Sequence, residues 1–169
     1  KQDAAARQRT AAASAPSDYC FPHRLEDLLV LNRALEKNPD DAKGWYYLGN
    51  LWYDKRQYAQ AIDCWERSRA LDGRFPTAHR NLALAYFNKC GRPDDALDEM
   101  EQAFALDRTD ARVLMELDQL RKKRGMSAPE RLKALEENRE CVLQRDDLYL
   151  EYITLHNALG LHEQALEML

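Results

Sequence analysis

Small residues recur in this chain at a nearly fixed interval. Gly49 and Ala83 are 34 residues apart, and Ala61 and Ala96 are 35 apart. Ala165 falls in the same phase. A chain that repeats itself at this interval folds as a row of similar supersecondary units, each packed on its neighbours. A small residue at one place in each unit means that two backbones approach closely there. The stretch "GWYYLGNLWYDKRQYAQAIDCWERS" puts seven aromatics around the first such place: Trp45, Tyr46, Tyr47, Trp52, Tyr53, Tyr58 and Trp65. The expectation is that Trp45, Trp52 and Trp65 fill space beside the small residues, at the density usual for protein interiors.

Counting from Ala42 as position 1 puts Trp45, Leu48, Gly49 and Trp52 at positions 4, 7, 8 and 11. Ala61, Trp65 and Ser68 take positions 20, 24 and 27. Restarting at Pro76 places His79, Leu82, Ala83 and Tyr86 equivalently, with one extra residue expected in the turn "KCGRPD". Further units start at Ala111 and Asp146. This pattern resembles the tetratricopeptide repeat. The resemblance implies an all-α, right-handed α-solenoid of antiparallel helix pairs. The expected divisions are 1–22, an Ala-rich segment, partly helical, with an extended link; 23–41, the second helix of an incomplete repeat; 42–75 and 76–110, two repeats; 111–145, a degenerate repeat; and 146–169, a truncated one. The degenerate unit has Asp118 where a small residue is expected, and Arg131 or Leu132 near the alanine position. Its second helix has its own start signal in "SAPE": Ser127 as cap, Pro129 in the first turn and Glu130 reaching back.

The phrases "YCFPHRLEDL", "FPTAHRNLALAYFNK" and "RDDLYLEYITLHNALGLHEQALEML" also resemble the repeat region of large bacterial proteins. Those proteins carry a carbohydrate-enzyme-like β-sandwich region ahead of their repeats. That resemblance implies an accessory segment and transfers no catalytic residue. The chain starts at Lys1 and stops inside an apolar pattern, so it is expected to be a piece of a longer protein.

Other function classes find little support. A net charge of -4 and a pI near 5.6 argue against a nucleic-acid surface. The basic run "RKKRG" closes a helix, where cations suit the negative end of the dipole. Leu166 stands where "HEQAL" would need a second histidine to bind zinc. His156 and His162 are expected at the surface, and Cys20, Cys64, Cys90 and Cys141 as isolated, mostly buried thiols. No enzymatic motif, metal or cofactor is expected, nor a nucleic-acid or membrane partner. Acidic pairs before helix starts suit capping rather than catalysis. A cytoplasmic location is the expectation.

What remains is a groove. Helix A positions 2, 5, 6, 9, 12 and 13 commonly line the concave face of repeats like these. Tyr46, Asn50, Tyr53, Arg80, Asn81, Phe87 and Arg112 are the candidate peptide-binding residues: aromatics for area, Asn for main chain, Arg for carboxylate. The partner is expected to be a protein or peptide, or another domain of the same protein. The alternative function is support for a larger carbohydrate-processing enzyme. Asn50, Asn81 and Arg112 also match part of the pattern by which some repeats clamp a C-terminal carboxylate. Glu116 stands where that clamp needs a cation and is expected to repel such a ligand.

Overall fold

Among the described residues, three glycines and one arginine in the left-handed backbone region punctuate the helices. A computed structural model describes Arg7, Ala11 and residues 20–168 of the chain. Most of the expected Ala-rich segment, 1–22, lies outside the described residues. Among those described, all regular structure is helical. The helices are α1 (Leu25–Lys37), α2 (Ala42–Asp54), α3 (Tyr58–Leu71), α4 (Pro76–Ala85), α5 (Pro93–Leu106), α6 (Ala111–Lys123), α7 (Ala128–Glu136), the short α8 (Arg139–Val142), α9 (Asp146–Ala158) and α10 (His162–Glu167). They fall into two compact units, ending at Gly73 and beginning at Arg74.

In the first unit α2 packs on α1 and α3. Asp41 caps α2 by accepting from the amide of Gly44 at 3.0 Å. The small-residue expectation holds in detail here. A Cβ on Gly49 would lie 2.4 Å from the indole of Trp65, and Ala61 is fully buried. Ser68, also fully buried, donates to the carbonyl of Ala42 at 2.7 Å and ties the end of α3 to the start of α2. Only Trp65 of the three tryptophans is fully buried. Trp45 and Trp52 are half-buried at the edge of a cluster of Leu35, Leu48 and Cys64. Trp45 is covered by the guanidinium of Arg67 and donates to the carbonyl of Pro39.

In the second unit α4 pairs with α5, α5 packs on α6, and α7 lies against α9. Asp110 caps α6 through the amides of Arg112 and Val113. The "SAPE" start forms as expected: Glu130 accepts from both the amide and the hydroxyl of Ser127. The core runs through Ala83, Met100, Leu114, Leu117, Leu135, Leu148 and Tyr152.

Three of the four first helices, α2, α6 and α9, stop in the same way. The amide after the left-handed residue bonds back five residues: Gln57 to Trp52, Met126 to Arg121, and Leu161 to His156. Gly125 and Gly160 supply the positive φ in two of these turns, and Arg56 supplies it in the first, at φ 59. After α4 the bond from Arg92 reaches back six residues, to Tyr86. The extra residue of this repeat was expected in the turn. It is instead wound into the helix end, as a wide turn over Tyr86–Cys90. An inserted residue is absorbed there without unfolding the helix, and Gly91 then closes it at φ 62.

Candidate interaction surface

Asn50 links the groove positions of the first unit to its core. The indole nitrogen of Trp65 donates to Asn50 Oδ1 at 3.1 Å and to the carbonyl of Tyr46 at 3.3 Å. With its oxygen engaged, the amide presents Nδ2 away from Trp65, and this donates to the carbonyl of Cys20 at 3.2 Å. Five residues on, Lys55 Nζ donates to the carbonyl of His23 at 2.6 Å and pairs with Asp54. Cys20–His23 therefore lie along Asn50 and Lys55, and with Tyr47 and part of α1 they border a cleft of about 430 Å³. Asp27 secures the far end of this segment by accepting from the amides of His23 and Arg24. The Arg24 amide in particular holds the Asp27 carboxyl below its usual range.

This arrangement corrects the expectation of exposed binding residues. Tyr46 is 2% exposed and Asn50 7%. Tyr53 is half-buried, its ring 5.1 Å from that of Tyr58 and 5.3 Å from that of Trp65. The sequence marks Asn50 by position, but nothing local signals that Trp65 orients it or that a segment 30 residues earlier meets it.

In the second unit, Glu116 is a hub. Arg80 binds it through two nitrogens, Nε at 2.6 Å, and Arg112 Nε approaches at 3.4 Å. Two guanidiniums thus offset the charge of the carboxylate that stands where a clamp would need a cation. Arg80 is accordingly engaged rather than presented, whereas the Arg112 side chain is 53% exposed. Phe87 is half-buried, with Lys123 Nζ 4.7 Å from its ring centre. Asn81 is half-buried on α4.

Beside this hub the degenerate repeat carries a buried charge network. Arg131 Nε donates to Asp118 Oδ1 at 3.0 Å, and its second nitrogen contacts Asp118 Oδ2 and reaches Glu151 at 2.7 Å. Lys122 also meets Glu151, at 2.8 Å. Burial alone would raise the Glu151 carboxyl, but hydrogen bonds from Arg131 and Lys122 outweigh it and hold the group below its usual range. The other cations of "RKKRG" have partners too: Arg121 with Glu101 and Arg124 with Asp94.

Two further expectations need correction. His156 is buried, not at the surface. It sits edge-on to Tyr152, and its Nδ1 is 3.0 Å from the Tyr152 carbonyl. Two of the four thiols, Cys20 and Cys90, are exposed. Burial pushes the Cys64 thiol up to about 12 and raises that of Cys141. Among the described residues no cluster of His, Cys, Asp and Glu has the arrangement of a metal site, and no helix is long and apolar enough to cross a membrane.

Residues 42–75 match the tetratricopeptide repeat family. A cytochrome c-type biogenesis protein, CycH, of Pseudomonas aeruginosa is 35% identical over 72 residues. That match covers 42% of this chain and 18% of the relative, so the chain spans under a fifth of that protein. Among solved structures, MamA has a TM-score of 0.66 at 20% identity, covering 82% of this chain and 80% of its own. YrrB, described as a tetratricopeptide protein with an unusual peptide-binding site, has a TM-score of 0.64 at 23% identity, covering 83% and 72%. The first repeat domain of Spaghetti, solved with an HSP90 peptide, has a TM-score of 0.58 at 24% identity, covering 70% and 93%. The chain thus carries a tetratricopeptide repeat and has the all-α fold of the tetratricopeptide solenoids.

Proposed function

We propose that this chain is a protein-interaction module that engages an extended peptide or protein segment along its helix A faces, without chemistry of its own. The observation that carries the reading is the Asn50 amide. It is oriented by Trp65 and holds a main-chain carbonyl, which is what a groove that grips extended chain requires. YrrB and the Spaghetti domain, both described with peptide sites or ligands, share the fold. The candidate binding residues are Tyr46, Asn50 and Tyr53 in the first unit and, in the second, Arg80, Asn81, Phe87 and Arg112. Tyr53 and Arg112 are the ligand-facing anchors, while Arg80 sets the position of Glu116. A cytoplasmic setting accords with two exposed free thiols.

Capture of partners with the purified chain, followed by titration, tests this. Tyr53→Ala and Arg112→Ala each weaken a captured partner by at least about 1 kcal/mol with the helical content unchanged. Unchanged affinity in both, with loss on substituting exposed α3 or α5 residues, refutes the helix A surface.

A further inference from the structure

The first unit holds its own chain on the face assigned to a ligand. Two side chains of the α2 region, Asn50 and Lys55, read two main-chain carbonyls three residues apart, those of Cys20 and His23. Both contacts are to backbone. Of the two side chains in between, Phe21 remains 63% exposed and Pro22 is only half-buried. The His23 ring turns back to the Phe21 carbonyl instead of entering the helix pair. A segment held this way is attached by hydrogen bonds that water or another backbone can replace, and not by a large buried apolar area. Its downstream end is pinned separately, by Asp27 at the start of α1. The upstream part can therefore leave while α1 stays in place.

We propose that Cys20–His23 is an intramolecular pseudo-ligand of the first repeat, and that an external extended segment gains the Asn50–Lys55 face by displacing it. Main-chain carbonyls are common to every peptide, so Asn50 and Lys55 do not distinguish the chain's own segment from a foreign one. A foreign segment competes through added contacts with Tyr47, Val30 and Leu31, which form the wall of the cleft opposite Cys20–His23 and stay in place when that segment leaves. Occupancy then depends on concentration: the tethered segment is present at a high effective concentration, so it excludes weak ligands and yields to tighter ones. The inference rests on the groove reading, yet it fails or stands on a different measurement.

The test uses the full chain with Cys90→Ser and a fluorophore on Cys20, the other exposed thiol among those described. The anisotropy of the label reports docking. The probe is a synthetic peptide of residues 17–24 with serine in place of the cysteine. Expected is a fall in anisotropy, toward the value seen in urea, on adding excess peptide and equally in Lys55→Ala, with the melting temperature unchanged in both. Asn50→Ala behaves alike if it folds; Lys55→Ala keeps the test decisive if it does not. Anisotropy that falls in Lys55→Ala but ignores the peptide shows that the face does not exchange its own segment for another and overturns the proposal. So does anisotropy that neither treatment changes. Loss of partner affinity in Tyr53→Ala bears on the groove alone and is independent of these outcomes.

Discussion

The first repeat and the degenerate repeat solve the same packing problem with opposite chemistry. In the first, α2 meets α3 where Gly49 leaves no room for even one carbon against the Trp65 indole. In the degenerate repeat the equivalent position is Asp118, and it is as deeply buried, at 3% exposure. A carboxylate there is tolerable only because Arg131, itself 4% exposed, turns inward to meet it. The first solution is steric and non-polar. The second exchanges close approach for a hydrogen-bonded ion pair, and α7 moves its packing largely to α9. The lesson is that a repeat position conserves a fit between two helices more than a residue size. A buried ion pair fits with little gain in stability, because desolvation offsets the attraction.

The comparison breaks most visibly if one partner is removed. Arg131→Leu leaves Asp118 buried without its guanidinium and is expected to cost about 3–5 kcal/mol in urea unfolding. The double variant Asp118→Leu with Arg131→Leu recovers most of that loss. A single substitution costing under about 1 kcal/mol would show that Asp118 is satisfied in another way.

The steric solution is tested next. Gly49→Ala and Ala61→Leu are each expected to destabilise by about 1–3 kcal/mol, since the Trp65 ring is held by Tyr46 and Asn50 and has little freedom to retreat. Unchanged melting in both would mean that the helices can slide apart.

The turns sharpen the comparison further. The first repeat has Arg56 at φ 59 where the degenerate one has Gly125 at φ 82, and a Cβ on Gly125 would meet no atom within 4 Å. Arg56→Gly is therefore expected to stabilise, and Gly125→Ala to destabilise, each by about 1 kcal/mol. Equal and opposite shifts in melting temperature are the readout.

The smallest effect is with pH. Glu151 has a lowered carboxyl in the folded protein, with burial opposed by its bonds to Arg131 and Lys122. Its contribution is present above the ordinary carboxylate pKa and is lost as pH falls through the lower, folded value. Glu151→Gln is expected to lower stability most at neutral pH and least in acid, which flattens the acid side of the stability curve. An acid limb as steep as the parent's would remove Glu151 from the network.

Much of the fold is legible without coordinates because it is local or periodic. Asp41, and Ser127 with Glu130, cap the helices whose starts the sequence marks. The second repeat's extra residue is also visible in the sequence, but its placement in the helix end is not. Whether a helix widens or a turn lengthens depends on the packing around Tyr86, which is almost fully buried and covered by Arg92. The candidate surface is less legible. Position numbers single out Tyr46, Asn50 and Arg80 as candidates, yet the first two are buried and the third is bound to Glu116.

The repeat interval, the helix pairs, the caps and the place of closest approach follow from the sequence alone, because each depends on residues within one or two turns or on a period. Tertiary structure alone decides which polar groups meet. Asp118 finds Arg131 across 13 positions, Arg80 finds Glu116 across 36, and Asn50 finds the Cys20 carbonyl across 30. A hydrogen bond requires two groups within about 3 Å at a suitable angle. No composition or spacing specifies that until the helices are packed.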